Sequence, residues 1–122
     1  MIEVQIPAGK KAYFASDFHL GFPNNAESLA REKYIIAWLS QVQKDASDVF
    51  LLGDLFDFWF EYSQVVPKGF VRFLGKLAEM NDAGIRIHIF VGNHDLWIRT
   101  YLKDEIGAII YDQPTEFNFN IQ

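Results

Sequence analysis

Cysteine is absent from this 122-residue sequence, which excludes disulfide bridges and thiolate metal sites together. A reducing compartment is compatible with that absence. Basic residues are also scarce: eleven Lys and Arg stand against sixteen Asp and Glu, for a formal net charge of −5 and a pI near 5.0. Charge-driven binding of nucleic acid needs a basic face to displace phosphate counterions, and no Lys/Arg run supplies one. Nucleic acid is therefore not an expected partner. A small phosphate-containing substrate stays open, because bound metal ions reverse the local sign of charge. No stretch approaches the roughly 20 apolar residues that cross a bilayer. Glu3, Lys10, Lys11 and Asp17 also interrupt the first twenty residues, where a signal peptide would place its apolar segment. The expectation is a soluble, cytoplasmic chain.

What the sequence has in quantity is apolar and aromatic residues. Half of it is hydrophobic, with twelve Phe, five Tyr and three Trp, enough for one domain with a sizeable core. Strand and helix signals alternate. Lys11–Ser16 reads as a buried strand, and Glu27 to about Ala46 as a helix with Ile35, Leu39, Val42 and Ala46 at helical spacing. Asp48–Leu52 reads as a second strand, stopped by Gly53. Pro67 to about Asp82 reads as a second helix with Phe70, Phe73, Leu74 and Leu77 as its stripe. Ile85–Val91 is a third strand, stopped by Gly92. Two successive strand–helix–strand units imply an α/β fold with a mostly parallel sheet and flanking helices. Further on, Trp97–Lys103 fits a short helix, Ala108–Tyr111 a short strand, and Thr115–Ile121 a half-buried strand by its alternation.

Each of the three strands runs into a loop rich in metal-ligand side chains: Asp17 and His19, then Asp54 and Asp57, then Asn93, His94 and Asp95. Sites in open parallel sheets gather beyond the carboxyl ends of strands. Neighbouring strands lie about 4.8 Å apart, so three such loops can share one space. Carboxylate, imidazole and amide donors without sulfur suit hard or borderline divalent metals. A pair of such ions polarises phosphoryl oxygens and lowers the pKa of water, the requirements of phosphoester hydrolysis. Asp54, on the central loop, is the natural bridging carboxylate. The first ligands of successive motifs are separated by 37 and 39 residues. It is this ordered set, not any single motif, that is specific.

Asp17-x-His19, Gly53-Asp54-x-x-Asp57 and Gly92-Asn93-His94-Asp95 together resemble the calcineurin-like metallophosphoesterase superfamily. The stretch from Gly53 to Tyr62, with Asp17–Gly21, more narrowly resembles its UDP-2,3-diacylglucosamine pyrophosphohydrolase branch in bacterial lipid A biosynthesis. The resemblance implies two sheets sandwiched between helices, an α-β-β-α arrangement, and a dinuclear site. Manganese is the expected ion, with magnesium, iron and zinc as alternatives. Asp17, His19, Asp54 and Asn93 would hold the metals. His94 would act over the phosphate as general acid or transition-state stabiliser, with Asp95 orienting its imidazole. The substrate would be a lipid nucleotide, cleaved to UMP and a lipid phosphate, and a peripheral position on the inner membrane is compatible. The superfamily completes its site with downstream histidine motifs, so residues 1–122 read as the N-terminal portion of a domain about twice as long. Alone, such a portion would hold its metals weakly, be inactive and self-associate through exposed sheet. Many members of this branch carry Arg where this sequence has His94, so another phosphodiesterase or phosphatase is the second reading. A catalytically incomplete binding module is the third.

Plainer roles stand beside these. Asp17, Asp54 and Asp57 could cap loops or helices, and for Asp57 a loop-orienting role is the better expectation. Asn93 could be a turn residue and His94 an ordinary surface histidine. His88, alternating with Ile87 and Ile89, is expected to be packed and hydrogen-bonded. The aromatic run Phe56, Phe58, Trp59, Phe60, Tyr62 is expected to pack rather than line a pocket. Arg31, Lys68, Arg72, Arg99 and Lys103 are expected on solvated faces.

Overall fold

The computed structural model describes residues 1–122. Its elements are β1 (Ile2–Ile6), β2 (Lys11–Ala15), α1 (Asn25–Val42), β3 (Ala46–Leu51), α2 (Val71–Asp82), β4 (Arg86–Phe90), α3 (Tyr101–Ile106), β5 (Ile109–Tyr111) and β6 (Phe117–Ile121). Four strands form a parallel sheet in the order β2-β3-β4-β5, and β1 pairs with β6, also parallel, in a second sheet. The α/β class with a mostly parallel sheet and flanking helices is what the alternating pattern predicts.

The two faces of β3 show how the layers form. Val49 and Leu51 point into one cluster with Ile35 and Leu39 of α1, Phe73 and Leu77 of α2, and Ile87 and Ile89 of β4. Phe50, facing the other way, packs with Val4 and Ile6 of β1 and against Phe117 and Phe119 of β6. A period of two thus serves both faces of a sheet buried on each side. The result is a helical layer, the four-stranded sheet and the small sheet.

Several boundaries differ from the sequence reading. Helix α1 ends at Val42, and Ala46, which also fits the helical period, pairs with Lys11 as the first residue of β3. Pro67 lies before α2, because Gly69 (φ 98°) and Phe70 (φ 60°) adopt left-handed backbone that no right-handed helix can continue. Trp97 pairs with Phe60 instead of starting a helix. α3 begins at Tyr101, where the Glu61 carboxylate accepts the N–H groups of Arg99, Thr100 and Tyr101. Strand β1 has no counterpart in the sequence reading. Only Val4 and Ile6 of its five residues are buried, which makes for a weak signal.

His88 occupies the packed, bonded position expected of it. Its Nε2 lies 2.7 Å from Asp48 and its Nδ1 2.8 Å from the Tyr111 hydroxyl, and its ring stacks on Phe50. Arg86 grips the same Asp48 carboxylate through two bonds of 2.7 and 2.8 Å. Burial opposes ionisation of Asp48, yet hydrogen bonds from His88 and Arg86 outweigh it and hold the pKa at about 2. Burial, with the Asp48 charge nearby, raises the Tyr111 phenol. The Asp48 carboxylate can only accept, so His88 donates Nε2–H to it, and in a neutral ring Nδ1 then accepts the Tyr111 hydroxyl.

Candidate metal centre

The ligand loops are joined by backbone hydrogen bonds that continue past the strand ends. The Asp17 N–H donates to Gly53 O at 3.1 Å, His19 N–H to Asp54 O at 3.0 Å, Leu20 N–H to Leu55 O at 3.0 Å, and Asp57 N–H to Leu20 O at 2.9 Å. The first and second loops therefore run side by side. Asp17, His19 and Asp54 all have positive φ, at 61°, 45° and 53°. Non-glycine residues rarely adopt that region, and they keep it only where the surroundings over-determine it. Three of the five such residues in the chain are candidate ligands.

Two glycines make this packing possible, for different reasons. Gly53, which stops β3, has φ 103°, a conformation that a side chain would resist. Gly92 is needed for close approach, since a Cβ there would overlap the backbone nitrogen and the carboxylate of Asp54.

The third loop is held by side chains. Asp54 Oδ1 accepts the His94 N–H at 2.8 Å. Asp95, fully buried, does not orient the His94 imidazole, contrary to the sequence expectation. Its Oδ1 accepts the N–H groups of Gly92 at 2.7 Å and Asp54 at 3.3 Å, and its Oδ2 those of Leu55 at 2.8 Å and Phe56 at 3.3 Å. A short carboxylate close to four converging N–H groups is captured by them before it can reach a ring. The group beside His94 is Asp57: the His94 Nδ1 lies 3.1 Å from its carbonyl oxygen and 3.4 Å from its Oδ1. The same Oδ1 lies 3.6 Å from His19 Nδ1. Asp57, expected to orient its loop, thus reaches into the site. The Gly53-Asp54-x-x-Asp57 spacing was the signal for it.

Two sets of ligand atoms converge, Asp17 with His19 and Asp54, and His19 with Asp57 and His94. Within each set all atoms lie within 4.8 Å of one another. The rings of His19 and His94 meet edge to face with centroids 4.8 Å apart. Asn93 is exposed on the third loop, next to His94 in sequence, and is not among the residues that line the cleft at this site. Oxygen and imidazole donors at this spacing, on backbone fixed in disfavoured conformations, fit one or more divalent cations. Asp17, Phe18, His19, Phe22, Arg31, Asp57 and His94 line an open cleft of about 440 Å³. Of the aromatic run, Phe56 and Trp59 are buried and in contact, as expected for packing, whereas Phe58, Phe60 and Tyr62 are exposed.

Fold and donor set define a class: an α/β protein presenting divalent-metal ligands at the carboxyl edge of a parallel sheet. Residues 10–121 match the model of the calcineurin-like phosphoesterase family, and the chain belongs to that family. It is similar to the UDP-2,3-diacylglucosamine hydrolase of Porphyromonas gingivalis, with 48% identity over 101 residues, covering 83% of this chain and 38% of that protein. Proteins of the same name from Nitrosococcus oceani (28% identity, 84% and 39% covered) and Haemophilus influenzae (30% identity, 81% and 40% covered) also match. The chain spans about two fifths of the length of these curated relatives.

Proposed function

We propose that residues 1–122 form the N-terminal portion of a metal-dependent hydrolase that splits the phosphoanhydride of UDP-2,3-diacylglucosamine into UMP and a lipid phosphate. The convergence of Asp17, His19 and Asp54, with His94 and Asp57 adjoining, is the observation that carries the reading. Similarity to proteins named for that substrate supports its choice. Asp17, His19 and Asp54 would hold one ion, and Asp54 with Asn93 would contribute to a second, manganese being the expected metal. Divalent ions there supply Lewis acidity toward phosphoryl oxygens and lower the pKa of water. His94, with Nδ1–H donated to the Asp57 carbonyl, would in its doubly protonated form present Nε2–H to a phosphoryl oxygen or hand that proton to the leaving oxygen. Asp95 keeps the second and third loops in register, so its part is to place Asp54 and His94.

A cytoplasmic position peripheral to the inner membrane would suit the lipid portion of such a substrate. No helix is long and apolar enough to cross a membrane. A second reading keeps the metal chemistry and changes the substrate within the family, because the resemblance to the UDP-2,3-diacylglucosamine branch implies Arg where this sequence has His94. Assaying the full-length protein with Mn²⁺ against UDP-2,3-diacylglucosamine and an aryl phosphodiester separates the readings. Preferential UMP release is expected. Preference for the aryl diester would support the second reading, and metal-dependent turnover of neither would sink the enzyme reading; turnover by residues 1–122 alone near the full-length rate would rule out the third, an incomplete binding module.

A further inference from the structure

We propose that Arg31 is a positioning residue of the metal centre, fixing the backbone on both sides of His19. Arg31 lies on α1, fourteen residues beyond Asp17. Its guanidinium does not project into solvent as a helical Arg ordinarily would. Nε–H donates to the Phe18 carbonyl at 2.7 Å, and the Nη2 amino group donates to the carbonyls of His19 at 2.7 Å and Phe22 at 2.5 Å. One helical turn earlier, Ser28 Oγ accepts the Gly21 N–H at 2.7 Å, so a single face of α1 grips the whole turn.

The pattern is specific to His19. The peptide group before it has its carbonyl on Arg31 and its N–H on Asp54 O, and the one after it has its carbonyl on Arg31 and its N–H on Leu55 O. Both peptide planes flanking His19 are therefore held at both ends. That settles φ and ψ of a residue sitting at φ 45°, where an L-residue gains nothing from local sterics. Three carbonyl oxygens, of Phe18, His19 and Phe22, converge on Arg31, and a rigid planar fork of donors holds them in one geometry, whereas a lysine ammonium on a flexible stem would not fix it. Because His19 belongs to both ligand sets, a rotation of its backbone would disperse both. The guanidinium also lines the cleft with Asp17, Asp57 and His94.

This inference rests on the metal-site reading, and its test separates the two. Mn²⁺ binding and amide hydrogen exchange are measured for the wild type, Arg31→Lys and Arg31→Met. Loss of partners that orient a ligand costs roughly 10–100-fold in metal affinity, so both variants should lose about tenfold or more. The amides of His19, Leu20 and Phe22 should lose protection while those of β3 and β4 keep theirs. A simple stability role would lower protection throughout the sheet and spare affinity in whatever fraction stays folded. Affinity within twofold of wild type together with unchanged loop protection overturns the inference. Should the wild type bind no Mn²⁺, the metal reading fails, and loop protection alone decides whether Arg31 fixes the His19 backbone. If Arg31→Met does not fold, Arg31→Lys, which keeps the charge and the stem but loses the fork, carries the test.

Discussion

Replacing Asp95 with Asn changes one atom and should be among the more damaging substitutions in the molecule. Each carboxylate oxygen takes two backbone N–H groups, one bond short (2.7 or 2.8 Å) and one long (3.3 Å), in a fully buried position. An asparagine has one oxygen and one NH₂ group, so whichever way it is turned, an amide donor faces two N–H donors. Two charge-assisted bonds disappear and the other two become neutral. Hydrogen bonds to charged groups contribute about 1.5–3 kcal/mol each. With one short and one long bond lost, the expected destabilisation is about 3 kcal/mol. Urea denaturation at pH 7 measures it, with an unchanged dependence on denaturant showing that the same fold is being compared. Had Asp95 acted by orienting His94, Asp95→Asn would alter the pH profile of turnover and leave the denaturation midpoint nearly in place. A loss below about 0.5 kcal/mol, the range of ordinary surface changes, would refute the clamp.

Gly92→Ala should displace the Asp54 carboxylate, because the added methyl overlaps it; Mn²⁺ affinity should fall at least tenfold, and unaltered affinity would contradict the close approach. Asp48, held at about 2 by His88 and Arg86, contributes stability that is complete above the ordinary carboxylate pKa near 4 and lost as pH falls toward 2. The shift corresponds to about 2 kcal/mol, so urea midpoints should drop between pH 4 and 2, and more gently in Asp48→Asn. Equal slopes would contradict it. Phe14, Ile2 and Ile121 are exposed on or beside the small sheet, so residues 1–122 alone should sediment as a dimer or larger species; a monodisperse monomer at high concentration would count against this.

Much of the candidate centre was legible because its candidate ligands follow directly from strands whose period and punctuation are strong. Asp17, Asp54 and His94 each come within four residues of the end of a parallel strand, and such ends form one rim whatever the details of the helices. Side-chain partners were not legible, since they depend on distances across loops. Asp95 and Asp57 exchanged their expected places for that reason: one carboxylate is trapped by N–H groups of the neighbouring loop, and the other reaches the imidazoles. Arg31 resembled any solvated helical cation until α1 was docked beside the first loop. Gly92 reads in the sequence only as the stop of a strand, and the path of Asp54 across it shows that space is what it provides. Ala46 fits the helical period as the end of the helix, but its pairing with Lys11 makes it the first residue of β3.

The central claim is that three loops build one divalent-metal site, and the chain's three histidines can report on it. Mn²⁺ is paramagnetic and broadens the ring resonances of nearby histidines, so a titration followed by NMR resolves where it binds even when binding is weak. His19 and His94 should broaden at substoichiometric Mn²⁺, while His88, enclosed between Asp48 and Tyr111, stays comparatively sharp. Asp54→Asn should weaken the effect on both rings together. Equal broadening of all three histidines, or none up to millimolar Mn²⁺, would contradict the site.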